Sequence, residues 1–389
     1  MLKLGGNDLE LVNFSEGDSS LVIRLSESKI LPIPLRSSQA YLARSKDIPA
    51  GFKVYFVLQR DLLSSVPPGC PVVILSDAYD YLADGDVVRV VPNRASIRAL
   101  YRRNSLHNTF LLTERCNNYC LMCSQPPKDT DDSWIVDEVL ATIPLIDRST
   151  KELGFSGGEP TLLGNDLIRI LNTCKNWLPD TTIHILSNGR RFADNGFASE
   201  YAGVQHPDMM VGIPLYSDIS NIHDYVVQAD GAFDETIRGI LNLKRLKQQV
   251  EIRVVIHKQT YERLPQLAEF ITSNLLFVDH VALMGLEMTG FTKANLEDLW
   301  IDPLDYQMQL AKAAKHLAAY KMNVSIYNHQ LCLLDQSVWR YTRKSISDWK
   351  NQYMPECGGC IKREECGGFF ASANLRYSRH IKPFAESTR

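Results

Sequence analysis

From residue 108 to about residue 320, strand-length apolar runs alternate with longer stretches whose apolar residues recur at helical spacing. That alternation predicts repeated βα units around a parallel sheet. Strands are expected near Thr109–Thr113, Glu152–Phe155, Thr182–Leu186, Met209–Leu215, Glu251–Ile256 and Val281–Met284. The intervening helices are expected near Ile135–Ile146, Leu167–Trp177, Ala193–Tyr201, Asp234–Lys247 and Leu264–Ser273, with a sixth near Pro303–Tyr320. Six such units make a partial (βα)6 TIM-type barrel of the α/β class, a fold that carries its chemistry at the carboxyl ends of its strands.

The flanks differ from this centre. Residues 1–105 read as a β-rich module, with short runs such as Leu21–Arg24, Lys53–Leu58, Val72–Leu75 and Val87–Val91 between turn signals such as Pro67-Pro68-Gly69. Residues 321–389 read as a C-terminal extension: a strand-like Asn323–Tyr327, then an irregular, cysteine-rich region. The expected division is therefore 1–105, 106–320 and 321–389.

Composition narrows the class. Of 389 residues, 45% are hydrophobic and 22% charged, as in an ordinary folded chain. A formal net charge of −3 supplies no global field for nucleic acid, and Arg94, Arg98, Arg102, Arg103 and Arg115 read as a local solvated basic face. No signal-peptide order and no apolar run of membrane-spanning length is found, so a cytoplasmic protein is expected, with no membrane partner.

Nine cysteines are present, seven of them in two spaced groups, which in a reducing compartment points to metal ligands rather than disulfides. Cys70 and Cys174 stand apart and read as core residues. The first group, Cys116, Cys120 and Cys123, has CxxxCxxC spacing on the loop that leaves the first barrel strand. Three thiolates there can hold three irons of a [4Fe–4S] cube and leave the fourth without a protein ligand. Zinc is the alternative, but a structural zinc site closes with four ligands, and no fourth Cys or His follows nearby.

Three further places carry candidate chemistry. The second strand ends in Gly157-Gly158-Glu159, where glycines let backbone come close to a ligand and Glu159 offers an acceptor. The third ends in Ser187-Asn188, and on the fifth Arg253 alternates with apolar neighbours, so that it can face the barrel interior toward an anionic group. His184 and His257, on apolar strands, read as satisfied core histidines. Near the C-terminus Cys357, Cys360 and Cys366, with Cys332 upstream, make a four-thiolate set able to close either an auxiliary [4Fe–4S] cluster or a zinc site.

The cysteine loop and the Gly-Gly-Glu turn together resemble the radical S-adenosylmethionine (SAM) superfamily. That resemblance implies a [4Fe–4S] cluster on Cys116, Cys120 and Cys123 whose open iron chelates SAM, and SAM contacts from Gly157, Gly158, Glu159, Ser187, Asn188 and Arg253. It implies an external one-electron donor and reductive cleavage of SAM to a 5′-deoxyadenosyl radical. The C-terminal cysteines resemble the Twitch extension, with one auxiliary cluster on Cys332, Cys357, Cys360 and Cys366. The stretch from Tyr101 to Pro127 is similar to the C-type radical SAM maturase of the His-Xaa-Ser peptide system. This implies a peptide or small-protein substrate, and as partners a second radical SAM maturase and a small accessory protein. The alternatives are a radical SAM enzyme acting on a small-molecule precursor in cofactor biosynthesis, and a zinc-binding scaffold.

Overall fold

The computed structural model describes residues 3–15, 17–345 and 351–385. The N-terminal part is one mixed sheet of β1 (Gly5–Gly6), β2 (Leu9–Val12), β3 (Leu21–Ser26), β4 (Ala40–Ala43), β5 (Val54–Val57), β6 (Val72–Leu75), β7 (Val87–Val91) and β8 (Ser96–Tyr101), with a single-turn helix α1 (Ile33–Arg36). Its order is β1-β8-β7-β3-β4-β5-β6-β2. The central strands β3 to β6 run parallel, and antiparallel strands flank them on both sides. β4 and β5 are buried along their whole length, so the Ala40–Ala43 run shows none of the alternation by which a half-buried strand is read from sequence.

The second sheet is parallel throughout. It is made of β9 (Asn108–Leu111), β10 (Glu152–Ser156), β11 (Thr182–Leu186), β12 (Met209–Pro214), β13 (Gln249–Ile256), β14 (His280–Gly285), β15 (Val324–Tyr327) and β16 (Thr342–Arg343), each beside its predecessor. The helices are α2 (Trp134–Thr142), α3 (Asn165–Trp177), α4 (Asn195–Gly203), α5 (Ser220–Val227), α6 (Ala232–Arg245), α7 (Leu264–Asn274), α8 (Phe291–Ala294), α9 (Leu296–Leu299) and α10 (Pro303–Ala319). The sheet curls into an open part-barrel. It exceeds the six expected units, because α10 returns the chain to the free edge of β14, where β15 pairs in parallel and β16 follows. The run at 323–327, expected to open the C-terminal extension, is thus a seventh strand of the same sheet.

Packing follows the pleat. Val250, Ile252, Val254 and Ile256 of β13 join helix residues such as Leu267, Leu310 and Ala314 in the main apolar core, so Glu251, Arg253 and Val255 face the lumen. Val87 and Tyr101 extend that core into the N-terminal sheet. The basic face expected over residues 94–115 is largely paired instead. Arg98 and Arg89 converge on the buried Glu138 of α2, Arg103 meets Asp84 (3.0 Å) and Asp147 (2.8 Å), and Arg102 lies over the Tyr81 ring. Among the described residues no helix is long and apolar enough to cross a membrane.

Candidate functional site

β9 delivers the chain into the loop that carries Cys116, Cys120 and Cys123, at the carboxyl end of the first parallel strand. Neighbouring backbone grips this loop from three directions. Tyr119 and Leu121 N–H donate to the carbonyls of Val227 (3.0 Å) and Val226 (2.9 Å) at the end of α5. Phe291 N–H reaches the Cys123 carbonyl (2.8 Å), Thr292 Oγ1 the Met122 carbonyl (3.1 Å) and Asn295 Nδ2 the Leu121 carbonyl (2.8 Å). From β10, Gly158 N–H donates to the Thr113 carbonyl (2.7 Å) and Glu159 N–H to the Arg115 carbonyl (2.8 Å). The approach that Gly157 and Gly158 permit is therefore to the cysteine loop. A Cβ on Gly158 would lie 2.1 Å from the Arg115 carbonyl oxygen, and one on Gly157 2.7 Å from that of Thr113.

Glu159 was expected to offer a free acceptor, but its carboxylate is 1% exposed and already takes four donors. Thr161 N–H (3.0 Å), Thr161 Oγ1 (2.6 Å) and Ser187 Oγ (2.7 Å) donate to Oε1, and Asn188 N–H (2.6 Å) donates to Oε2. Ser187 is thereby consumed as well, while Asn188 Nδ2 bonds Asn117 Oδ1 (2.7 Å) in the cysteine loop. Arg190 completes the tie: NH1 donates to the Asn117 carbonyl (2.8 Å) and Asn118 Oδ1 (2.6 Å), and Nε to Glu235 (2.6 Å). This clasp joining β10, β11 and the cysteine loop was not legible from the motif, since nothing local marks Thr161 and Arg190 as its members.

The thiols are not paired with one another as disulfides. Burial pushes Cys116 up to about 11 and Cys120 up to about 12, and raises Cys123. Unmetallated, they stay protonated at neutral pH, and a cationic group must displace those protons to bind. Among the described residues no three His, Cys, Asp or Glu side chains converge as a single metal ion requires. A tetrahedral zinc ion needs such convergence at about 2.3 Å per sulfur, whereas each thiolate of a cube binds a different iron. The donor set, three thiols spread along one strand-end loop, fits the cube.

Deeper in the lumen lies a belt of polar side chains. Arg253 NH1 donates to Glu251 Oε1 (2.9 Å), and His184 Nε2 lies 3.6 Å from the same oxygen. His280 Nδ1 donates to Glu251 Oε2 (2.6 Å), with its Nε2 3.0 Å from Ser325 Oγ. Burial alone would raise the Glu251 carboxyl, but the His280 bond and the Arg253 charge outweigh it and leave it at about 2. Two histidines are less satisfied than expected. Among the described residues, His184 Nε2 and both ring nitrogens of the fully buried His257 lack a hydrogen-bond partner, the latter ring packing 6.1 Å from that of Tyr216. Asp224 accepts from Gly231 N–H (2.7 Å) and Phe233 N–H (2.7 Å) and so fixes α5 against α6.

The second cysteine group lies beyond β15. Cys332, Cys357, Cys360 and Cys366 line one small pocket together with Lys382, Pro383 and Phe384. Phe384 N–H donates to Cys360 Sγ (3.4 Å), and Tyr353 OH to the carbonyls of Arg363 (2.8 Å) and Cys366 (3.1 Å). Backbone N–H directed at sulfur, in a pocket bounded by four thiols, is a donor set that fits a second cube. A larger, open pocket lies at the carboxyl ends of β13, β14 and β15, between Leu286, Met288, Trp300, Tyr306, Phe370 and Tyr377.

A parallel part-barrel carries its chemistry at the carboxyl ends of its strands, and the loop with Cys116, Cys120 and Cys123 leaves β9 at that edge. Residues 110–271, from β9 into α7, match the family model of the Radical SAM superfamily. The family implies a [4Fe–4S] cluster and SAM. A probable GTP 3′,8-cyclase from Methanocella arvoryzae is 29% identical over 131 residues, which are 33% of this chain and 40% of that protein. SuiB of Streptococcus suis, solved bound to S-adenosylmethionine, is 17% identical with a TM-score of 0.46, over 58% of this chain and 51% of that one. Coproporphyrinogen III oxidase (HemN) from Escherichia coli is 14% identical with a TM-score of 0.42, over 56% and 52%. The chain thus spans about two fifths of the length of the curated relative it matches.

Proposed function

We propose that this is a radical SAM peptide-modifying enzyme acting on a small protein with His-Xaa-Ser repeats, working with a second maturase, a small accessory protein and an external one-electron donor in the cytoplasm. The observation that carries the radical chemistry is the three-thiol loop clasped against the Gly-Gly-Glu turn at the carboxyl edge of a parallel part-barrel. The peptide substrate rests on the likeness of Tyr101–Pro127 to the C-type maturases. Cys116, Cys120 and Cys123 would hold the SAM-binding cluster, and Cys332, Cys357, Cys360 and Cys366 an auxiliary one in a Twitch-like extension. When bound, the first cluster supplies the electron that splits SAM into methionine and the 5′-deoxyadenosyl radical, which takes a hydrogen from the substrate.

The chain's own groups orient and enclose. With the Glu159 side chain and its backbone committed to the clasp, the carbonyls of Gly157 and Gly158 are left for the methionyl amine, and the second Nδ2 hydrogen of Asn188 for the ribose. Arg253, with one N–H group on Glu251, would offer its remaining donors to the SAM carboxylate. The aromatic pocket at the carboxyl ends of β13, β14 and β15 would receive the substrate segment, holding its C–H bond near the radical and excluding water.

A second reading has one observation in its favour. The relative named a probable GTP 3′,8-cyclase points to a small-molecule precursor in cofactor biosynthesis.

Anaerobic purification with iron, sulfide and zinc analysis tests the first layer. About eight irons per chain should fall to about four on joint replacement of Cys116, Cys120 and Cys123 by Ala, and to about four in Cys357→Ala/Cys360→Ala. Stoichiometric zinc without iron would leave the zinc scaffold. Incubation with SAM, reductant and either a His-Xaa-Ser repeat peptide or GTP tests the second layer. Formation of 5′-deoxyadenosine with a mass change confined to the peptide supports maturation, and consumption of GTP alone supports the small-molecule reading.

A further inference from the structure

The interior of a parallel barrel is normally filled by layers of apolar side chains. Here one layer is charged. Glu251 and Arg253 of β13, His184 of β11, His280 of β14 and Ser325 of β15 meet across the lumen, and on β12, between β11 and β13, stands Gly212. A Cβ at Gly212 would come 3.0 Å from both Arg253 Cδ and His184 Nε2, so the glycine leaves the space through which the arginine stem passes. A buried ion pair is weak support for stability, since desolvation offsets most of its attraction, and the arrangement calls for another role.

The connections have a direction. Ser325 holds His280, His280 holds one oxygen of Glu251, and the other oxygen holds Arg253 NH1 (2.9 Å). In register, Glu251 stands level with His280, while Arg253 is one step nearer the carboxyl edge and level with Pro214. One end of the guanidinium is occupied from below. Arg253 itself stands beside the end of β12, where Leu215 N–H donates to its carbonyl (3.0 Å) and the chain turns out of the sheet at the carboxyl edge.

We propose that Glu251, His280 and Ser325 are positioning residues that hold Arg253 in one orientation, so that its free N–H groups form a preorganised receptor for the carboxylate of SAM. This rests on the reading of Arg253 given under Proposed function. Without the Glu251 anchor the long side chain must be ordered when ligand binds, and affinity for the carboxylate falls.

The experiment is equilibrium binding to the reconstituted enzyme without reductant, comparing SAM with decarboxylated SAM, which lacks only the carboxylate. Arg253→Met should weaken SAM by about tenfold or more, as expected for a charge-assisted bond, and leave decarboxylated SAM unchanged. Glu251→Gln and His280→Leu should each reproduce part of that loss, about threefold to tenfold, again for SAM alone. His280→Asn, which keeps a donor near the Nδ1 position, should restore affinity. Equal weakening of both ligands in Glu251→Gln and His280→Leu would show a merely structural belt and overturn the proposal. If Arg253→Met alone has the selective effect, the positioning role falls while the arginine contact stands. If Arg253→Met has none, the contact itself is wrong and the proposal falls with it. Should Glu251→Gln not fold, His280→Leu and Ser325→Ala carry the same comparison.

Discussion

Glu159 combines near-complete burial with four donated hydrogen bonds, and that pairing decides what its replacement does. Burial pushes its carboxyl upward, while the bonds from Thr161, Asn188 and Ser187 pull the other way. Removing the carboxylate strands those donors in a dry interior, and each unsatisfied donor costs about 1–3 kcal/mol. Glu159→Ala should therefore lose roughly 3–5 kcal/mol, and Glu159→Gln less, because its amide keeps an acceptor oxygen for Thr161 and Ser187 but turns an NH2 toward the Asn188 N–H, which can only donate. Thr161→Val, which deletes a single bond, should cost about 1 kcal/mol. Urea unfolding of the metal-free chain measures all three, and an unchanged midpoint for Glu159→Ala would show that the clasp is not formed. The motif that marks this carboxylate is visible in seven letters of sequence, Phe155 to Thr161. Its use is not, because the partners that consume it arrive from Ser187 and Asn188 on the next strand.

Between the two sheets the decisive element is α2. Trp134 and Glu138 are one helical turn apart and so share a face. Arg89 of β7 lies over the Trp134 ring at 4.6 Å and donates to Glu138 (3.0 Å), and Arg98 of β8 also stacks on Trp134 and pairs with Glu138. One buried carboxylate thus bridges two guanidinium groups that would otherwise repel. Glu138→Gln should cost roughly 3–5 kcal/mol, the penalty of breaking a buried pair from one side, and should speed amide exchange in β7, β8 and α2 ahead of the barrel strands. Exchange that accelerates uniformly across both sheets would remove α2 as the seam. Strand and helix positions from 108 to 320 could be read from periodicity because each element buries one face only. α5 escaped because its eight residues sit among turn-like polar ones, and the pairing of the arginine run escaped because Glu138 lies 40 residues from Arg98. The two cysteine groups were plain from spacing alone. That four of those cysteines share a pocket with residues 382–384 depends on the path of an irregular segment, which has no period to read.

Across the whole molecule, buried neutral histidines set the acid limit of stability. Burial lowers His223, His257 and His329 to about 4 each, from an ordinary value of 6.5. A group whose folded value is depressed takes up its proton first in the unfolded chain. Stability is therefore complete above about pH 6.5 and is lost as pH falls toward 4, with each histidine contributing roughly 1.4 kcal/mol per pH unit inside that window. Between pH 7 and pH 5 the loss is roughly 2 kcal/mol per histidine. The thiols work in the same direction by another route, since Cys116 and Cys120 must shed protons to bind metal and release it more readily in acid. Two comparisons separate these effects. In the chain with Cys116, Cys120 and Cys123 replaced by Ala, the histidine term persists while the thiol term at that loop is gone. His257→Phe then removes one proton from the window without breaking a hydrogen bond, because neither ring nitrogen has a partner. Its stability relative to the parent should rise by roughly 2 kcal/mol between pH 7 and pH 5, read as a urea midpoint that falls less steeply with acid. If the two chains lose stability in parallel, His257 already carries its proton or a bound water in the folded state, and acid sensitivity must come from His223 and His329.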